Sequence, residues 1–278
     1  MTIKLALCNE VLREHAFSEQ CRLAAALGYQ GLEIAPFTMG GDPLAFTESD
    51  GAAWRTQAAE HGVAISSLHW LLVKPDGLSL VTDDAALRAR TVSLLKRLID
   101  VAAAAGARVL VHGSPKQRSP AQGQSVEAAT ARLEAALAEL APIAERAGIT
   151  YCIEPLSRAE TPVINTVAEA AALVDRIGSP ALRTMLDMSA ASQSESEPAA
   201  DVLRRYLASG HIAHVQFNDR NRRGPGQGQT QHLDAIRVLG AAGYDGWVAV
   251  EPFDYQPDPL ACAAFCAGYV RGLMEAAA

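Results

Sequence analysis

Short apolar runs rich in β-branched residues alternate with alanine-rich stretches of helical period along the whole chain. The runs Ile3–Cys8, Gly31–Ala35, Ala64–His69, Arg108–His112, Thr150–Glu154, Arg183–Asp187, Ala213–Phe217 and Trp247–Glu251 predict eight strands. Between them the pattern predicts helices over Phe17–Leu27, Asp50–His61, Asp84–Ala105, Gln124–Ala147, Val167–Ile177, Ala199–Ala208, Leu233–Ala242 and Pro259–Ala277. Four stop at a glycine (Gly28, Gly106, Gly148, Gly243), the residue best suited to the left-handed turn past a helix end. Strict alternation favours parallel strands with right-handed crossovers, and eight such units predict an α/β fold, a single (β/α)8 TIM barrel over residues 1–278. An open doubly wound sheet usually carries a glycine fingerprint after its first strand; here that turn reads Cys8-Asn9-Glu10-Val11.

In such a barrel the C-terminal ends of the strands face the site, and these ends are polar. They carry Asn9 and Glu10, Glu33, His69 and Trp70, His112 to Ser114, Glu154, Asp187, Gln216 with Asn218 and Asp219, and Glu251. Glu154 to Asp187 is 33 residues, Asp187 to Gln216 is 29 and Gln216 to Glu251 is 35. Each interval is one strand-helix unit, so these four side chains are expected at similar heights on consecutive strands. Three carboxylates and an amide oxygen at one depth repel one another unless a cation sits among them, or unless arginines and helix caps take them up separately. An all-oxygen set suits Mn²⁺ or Mg²⁺, with Co²⁺ a stand-in.

Charge and composition narrow the partners. The chain has 278 residues, 49% of them hydrophobic, and a net charge of −7, which disfavours a nucleic-acid binder because no basic footprint neutralises phosphates. No window reaches the length of a membrane span, and the N-terminus lacks the apolar core of a secretory signal. The five scattered cysteines fit reduced thiols in the cytoplasm better than a disulfide framework. A faint internal echo links "LGYQGLEIAPF" to "AGYDGWVAVEPF". Because it does not recur at the other turns, it reads as ordinary helix-to-strand turn chemistry.

With "YCIEPLS", "TMLDMS", "HVQFNDRNRRGPGQG" and "GYDGWVAVEPFDY" in view, essentially the whole chain resembles the xylose-isomerase-like TIM barrels, especially their sugar isomerase and ketose 3-epimerase branch. The resemblance implies a divalent metal held by Glu154, Asp187, Gln216 and Glu251, a substrate contact at Arg222, and a homodimer or homotetramer. Two positions depart from that pattern: Gln216 stands where the family usually has histidine, and Ala190 stands where a substrate-binding histidine is common. The implied activity is sugar epimerisation or aldose–ketose isomerisation, with Glu154 and Glu251 moving a proton next to a carbonyl. A metal-dependent lyase acting on a keto-sugar and a non-catalytic sugar-binding barrel are the alternatives.

Other polar residues near the site are read more locally. His69, Trp70, His112, Lys116 and Arg118 are expected to touch substrate, with barrel-rim packing equally open for Trp70 and solvation open for Lys116 and Arg118. Glu33 reads as a salt-bridge partner in the barrel mouth, with an active-site carboxylate the alternative, and the segment from His112 to Pro120 as a long loop over the site. The three arginines of "RNRR", Arg220 to Arg223, leave a sugar phosphate as a further possible ligand.

Overall fold

The computed structural model describes residues 3–277. Eight parallel strands, β1 (Lys4–Cys8), β2 (Gly31–Ile34), β3 (Ala64–Leu68), β4 (Val109–His112), β5 (Thr150–Ile153), β6 (Leu182–Asp187), β7 (Ile212–Phe217) and β8 (Trp247–Val250), form a closed barrel in chain order. Closure comes from β1, which pairs with β2 at Ala6 and Gly31 and with β8 at Lys4 and Trp247. The helices are α1 (Phe17–Leu27), α2 (Glu48–Glu60), α3 (Ala85–Ala105), α4 (Pro115–Arg118), α5 (Val126–Ala147), α6 (Val167–Ile177), α7 (Met188–Ser194), α8 (Ala199–Ala208), α9 (Leu233–Ala241) and α10 (Pro259–Ala276). No helix among the described residues is long and apolar enough to cross a membrane. All five cysteines are free and buried.

The period-2 alternation of strands sorts the residues. Leu5, Leu7, Leu32, Ile34, Val215 and Phe217 point outward and join the large apolar cluster under the helices, where burying each side chain contributes about 1.5–3 kcal/mol. The intervening positions point into the barrel. Some are small or apolar (Ala6, Cys8, Ala249, and Val109, Val111, Cys152, Met185). Across from these in the strand register stand Glu33, Ser67, His214 and Gln216, all fully buried.

Several element boundaries differ from the sequence expectation, each for a local reason. Strands β3, β5 and β8 stop one residue early, so His69, Glu154 and Glu251 stand just beyond the paired strand. Asp84 and Ser125 lie outside α3 and α5 as N-caps: Asp84 accepts from the Ala86 and Leu87 amides and Ser125 from Ala128. The segment after β4 is not wholly loop, because Pro115 starts the short α4. Short 3₁₀ turns at Asn9–Leu12, Pro36–Thr38 and Pro43–Ala45 were not expected from the pattern.

Helices α2 and α3 touch at Gly51, where a β-carbon would collide with the Val101 carbonyl oxygen. Alanine favours a helix over glycine by about 1 kcal/mol, yet it cannot enter this contact without separating two backbones. Gly51→Ala should therefore lower stability by about 1–3 kcal/mol, read as an earlier urea midpoint. An unchanged or later midpoint would show that the contact yields easily.

Candidate functional site

The ends of β5, β6 and β8 bring Glu154, Asp187 and Glu251 together, with one oxygen from each within 4.8 Å of the others. Gln216 pairs in register with Asp187, so its side chain enters the barrel beside them. All four are buried. The three carboxylates are held in different ways.

Asp187 is fixed through both oxygens. Oδ1 accepts from the Ala190 amide at 2.7 Å, and Oδ2 accepts from the Asn218 side chain at 2.6 Å. The second bond gives Asn218 the strand-end role its position suggested, and Asn218 in turn accepts from the Ser189 amide at 2.7 Å. Glu251 carries two donors on one oxygen: its Oε1 lies 3.1 Å from His69 Nδ1 and 3.0 Å from the Trp70 indole nitrogen. Glu154 instead fills the space left by Gly113, where a β-carbon would strike Glu154 Oε2.

Crowding raises the proton affinity of all three. Burial is the largest cause at each. It pushes Asp187 up to about 7 against the pull of the Ala190 and Asn218 hydrogen bonds, and Glu251 up to about 8 against His69. Glu154 is held well above the carboxylate range by burial, Glu251 and Asp187, with Arg118 opposing. A divalent ion is the natural counter-charge for such a set, and the donors present fit one. Besides the carboxylates, the buried Oε1 of Gln216 has no hydrogen-bond partner among the described residues, an open acceptor of the kind a hard cation takes. Cys8, Glu10, His69 and Glu251 form an adjoining group with the same 4.8 Å closeness.

The residues expected to touch substrate divide. His69 joins the cluster, but both ring nitrogens are committed: Nδ1 to Glu251, and Nε2 to Glu10 at 3.0 Å. Burial works against its charge, but Glu10 and Glu33 hold its pKa well above the usual value. His69 therefore bridges carboxylates and has no nitrogen free for a sugar hydroxyl. Trp70 holds Glu251 through its N–H, while its half-buried ring lies between Phe37 and Phe253 at 6.0 and 5.9 Å. Those two phenyls are the Pro-Phe ends of the repeated turn, so the echo in the sequence encloses one side of the site.

His112 stands apart from the cluster. Alternation along β4 turns it to the helix side with Leu110, where Nδ1 meets the Tyr151 hydroxyl at 2.7 Å, and burial lowers its pKa to about 3. Gly113, the next residue, faces the site instead. Lys116 is exposed on α4, and the cation facing inward is Arg118, fully buried and bonded to the carbonyls of His112 and Ile164 at 3.3 and 3.4 Å. Burial pushes Arg118 down to about 10, with Glu154 and Glu160 opposing.

Arg222 rises at the rim. Its guanidinium lies 4.2 Å from the Phe253 ring centroid and donates to Glu160 Oε1 at 3.3 Å. Its neighbours turn elsewhere: Arg220 donates to the Ser192 carbonyl and Arg223 to Asp254. The arginines of "RNRR" thus do not converge into one anion cradle. Sequence reading placed Glu10 near the site without a role, read Arg118 as a substrate contact or a solvated charge where it is buried on backbone carbonyls, and did not single out Gly113 or Glu160. Extending the strand alternation by one residue beyond β4 would have favoured Gly113 over His112.

Residues 21–264 match the xylose isomerase-like TIM barrel family. The chain belongs to that family. It is 26% identical over 239 residues to a probable ketose 3-epimerase of Synechocystis, covering 85% of this chain and 78% of the relative. It is 29% identical over 227 residues to a ketose 3-epimerase of Arthrobacter globiformis, covering 80% and 74%. The fold matches a D-psicose 3-epimerase crystallised in the presence of D-fructose with a TM-score of 0.82 at 20% identity, over 98% of this chain and 99% of that one. By this kinship the xylose isomerase-like chain is an enzyme of the isomerase class.

The raised carboxylates fix how the ion-free protein responds to pH. A group whose folded pKa lies above its unfolded value binds extra protons when folded, so its stabilising contribution is full below about pH 4 and is lost as pH rises through the folded pKa. Asp187 and Glu251 place that loss between about pH 4 and 8. Chelator-treated protein should accordingly melt progressively earlier from pH 5 to pH 8, and added Mn²⁺ should raise the melting temperature more at pH 8 than at pH 5. A melting temperature that rises with pH in the chelated protein would contradict the assignment.

Proposed function

We propose that the protein is a divalent-metal-dependent sugar epimerase or aldose–ketose isomerase that transfers a proton next to a carbonyl, with Mn²⁺ the preferred ion and Mg²⁺ or Co²⁺ as substitutes. The observation that carries this reading is the convergence of Glu154, Asp187 and Glu251, with Gln216 in register beside Asp187 and its buried carbonyl oxygen left without a partner. The ketose 3-epimerase relatives support the same chemistry.

A bound divalent ion supplies electrostatic stabilisation of the negative charge that develops on substrate oxygen as the α-proton leaves. The chain's own residues do the rest. Glu154 makes no side-chain hydrogen bond to the described residues and has a raised proton affinity, which suits a carboxylate that takes a proton from carbon. Glu251, with Oε1 held by His69 and Trp70, offers its other oxygen as the partner that returns a proton. In a 3-epimerase it returns the proton to the opposite face of the same carbon; in a ketol-isomerase the proton goes to the neighbouring carbon. Asp187, fixed through both oxygens, orients rather than transfers. Arg222 and Glu160 form a polar rim suited to sugar hydroxyls, while Phe253 and Trp70 offer faces for its C–H bonds.

Proton NMR in D₂O, with a panel of free and phosphorylated ketoses and aldoses and with or without Mn²⁺, tests the reaction. Deuterium should enter one carbon only when metal is present, with an epimer or an aldose appearing. Absence of exchange from every sugar under every metal would remove the isomerase reading. Glu154→Gln and Glu251→Gln should each abolish exchange, and Trp70→Phe, which deletes one donor to Glu251, should slow it about 10–100-fold.

A further inference from the structure

Glu33 is the most completely buried carboxylate of the barrel, at 0% exposure, and the proton-transfer scheme leaves it without a task. It sits on β2 facing inward, between His69 and His214, with Oε2 2.6 Å from His214 Nε2 and Oε1 3.3 Å from His69 Nδ1. Ser67 donates to Oε2, and the side-chain amide of Gln216 donates to Oε1 at 2.5 Å. Burial opposes the charge, but the two histidines and Ser67 outweigh it and keep Glu33 an ionised acceptor.

This contact decides which way the Gln216 amide faces. Its nitrogen is used by Glu33, and its oxygen is the atom left buried without a partner. Turned over, the amide would set its oxygen against the Glu33 carboxylate, two acceptors with no proton between them. Among the described residues Glu33 is the one carboxylate that the Gln216 amide N–H reaches; none of Glu154, Asp187 and Glu251 accepts a hydrogen bond from it.

We infer that Glu33 is a positioning residue that locks the Gln216 amide with its carbonyl oxygen toward the metal, making the site an all-oxygen one. The inference rests on the metal-site reading given above. It assigns Glu33 to orienting a ligand rather than only to neutralising buried histidines, and it explains how a glutamine serves at this position. An amide free to rotate must be turned by the cation it binds, whereas an anchored one presents its acceptor beforehand.

The test is Mn²⁺ binding, followed by the electron paramagnetic resonance signal of free ion, which reads affinity without activity. Removing the partner of a ligand typically weakens metal affinity 10–100-fold, so Glu33→Gln should raise the Mn²⁺ Kd by about that factor. In a Gln216→Ala background, with no amide left to orient, Glu33→Gln should cause no further loss. Equal losses in both backgrounds would overturn the inference, because a merely structural role of Glu33 does not depend on residue 216.

Should Glu33→Gln fail to fold, the wild-type chain decides. The Gln216 side-chain NH₂, assigned by its disappearance in Gln216→Ala, should show slow exchange with solvent and stay protected when Mg²⁺ is added. Fast-exchanging amide protons in the metal-free chain would overturn the lock. If wild-type protein binds no Mn²⁺ at all, the metal-dependent function falls, while the amide measurement still reports on Glu33 independently.

Discussion

Everything at the mouth of this barrel answers to one constraint, the burial of several carboxylates within a few side-chain lengths of each other. Glu10, Glu33, Glu154, Asp187 and Glu251 are all at most 6% exposed. Isolated ionised carboxylates in such surroundings are too costly to persist, so each is paired, hydrogen-bonded or protonated. The structure uses all three. Glu33 is paired with histidines, Asp187 is hydrogen-bonded through both oxygens, and Glu154 shifts toward its protonated form. What separates a structural acid from a reactive one here is which of these solutions it received.

The same constraint explains the neutral residues around the cluster. Gly113 leaves room for a carboxylate that would otherwise be displaced, and Trp70 brings an N–H donor without adding charge. Gln216, in register with Asp187, brings a buried amide to that depth without a fourth negative charge. A carboxylate at that position would face the ionised Glu33 directly.

Much of this was legible in the sequence because it depends on period. Strand alternation and the one-unit spacing of Glu154, Asp187, Gln216 and Glu251 predicted the closed barrel and the depth at which the first, second and fourth meet. The reading failed where a single residue of strand extent decides direction. His112 ends β4 facing the helices, and Lys116 points to solvent from a helical turn that places Arg118 inside. Pairings across the bore were also hidden. The contact between His69 and Glu251 joins residues 182 apart, and no local pattern encodes which of several inward acids a histidine will meet.

Those cross-bore pairings divide the labour between the two halves of the chain. Glu10, Glu33, His69 and Trp70 come from the first three strand ends, and every one of them acts on a residue from the last two, directly or through His69. The three carboxylates that gather within 4.8 Å as one set, Glu154, Asp187 and Glu251, come from the ends of β5, β6 and β8. The barrel is thus built of two unlike halves, one that carries the clustered carboxylates and one whose side chains hold them in place. Exchanging the first half alone would keep Glu154, Asp187, Gln216 and Glu251 and remove the side chains that hydrogen-bond Glu251 and Gln216 from across the bore.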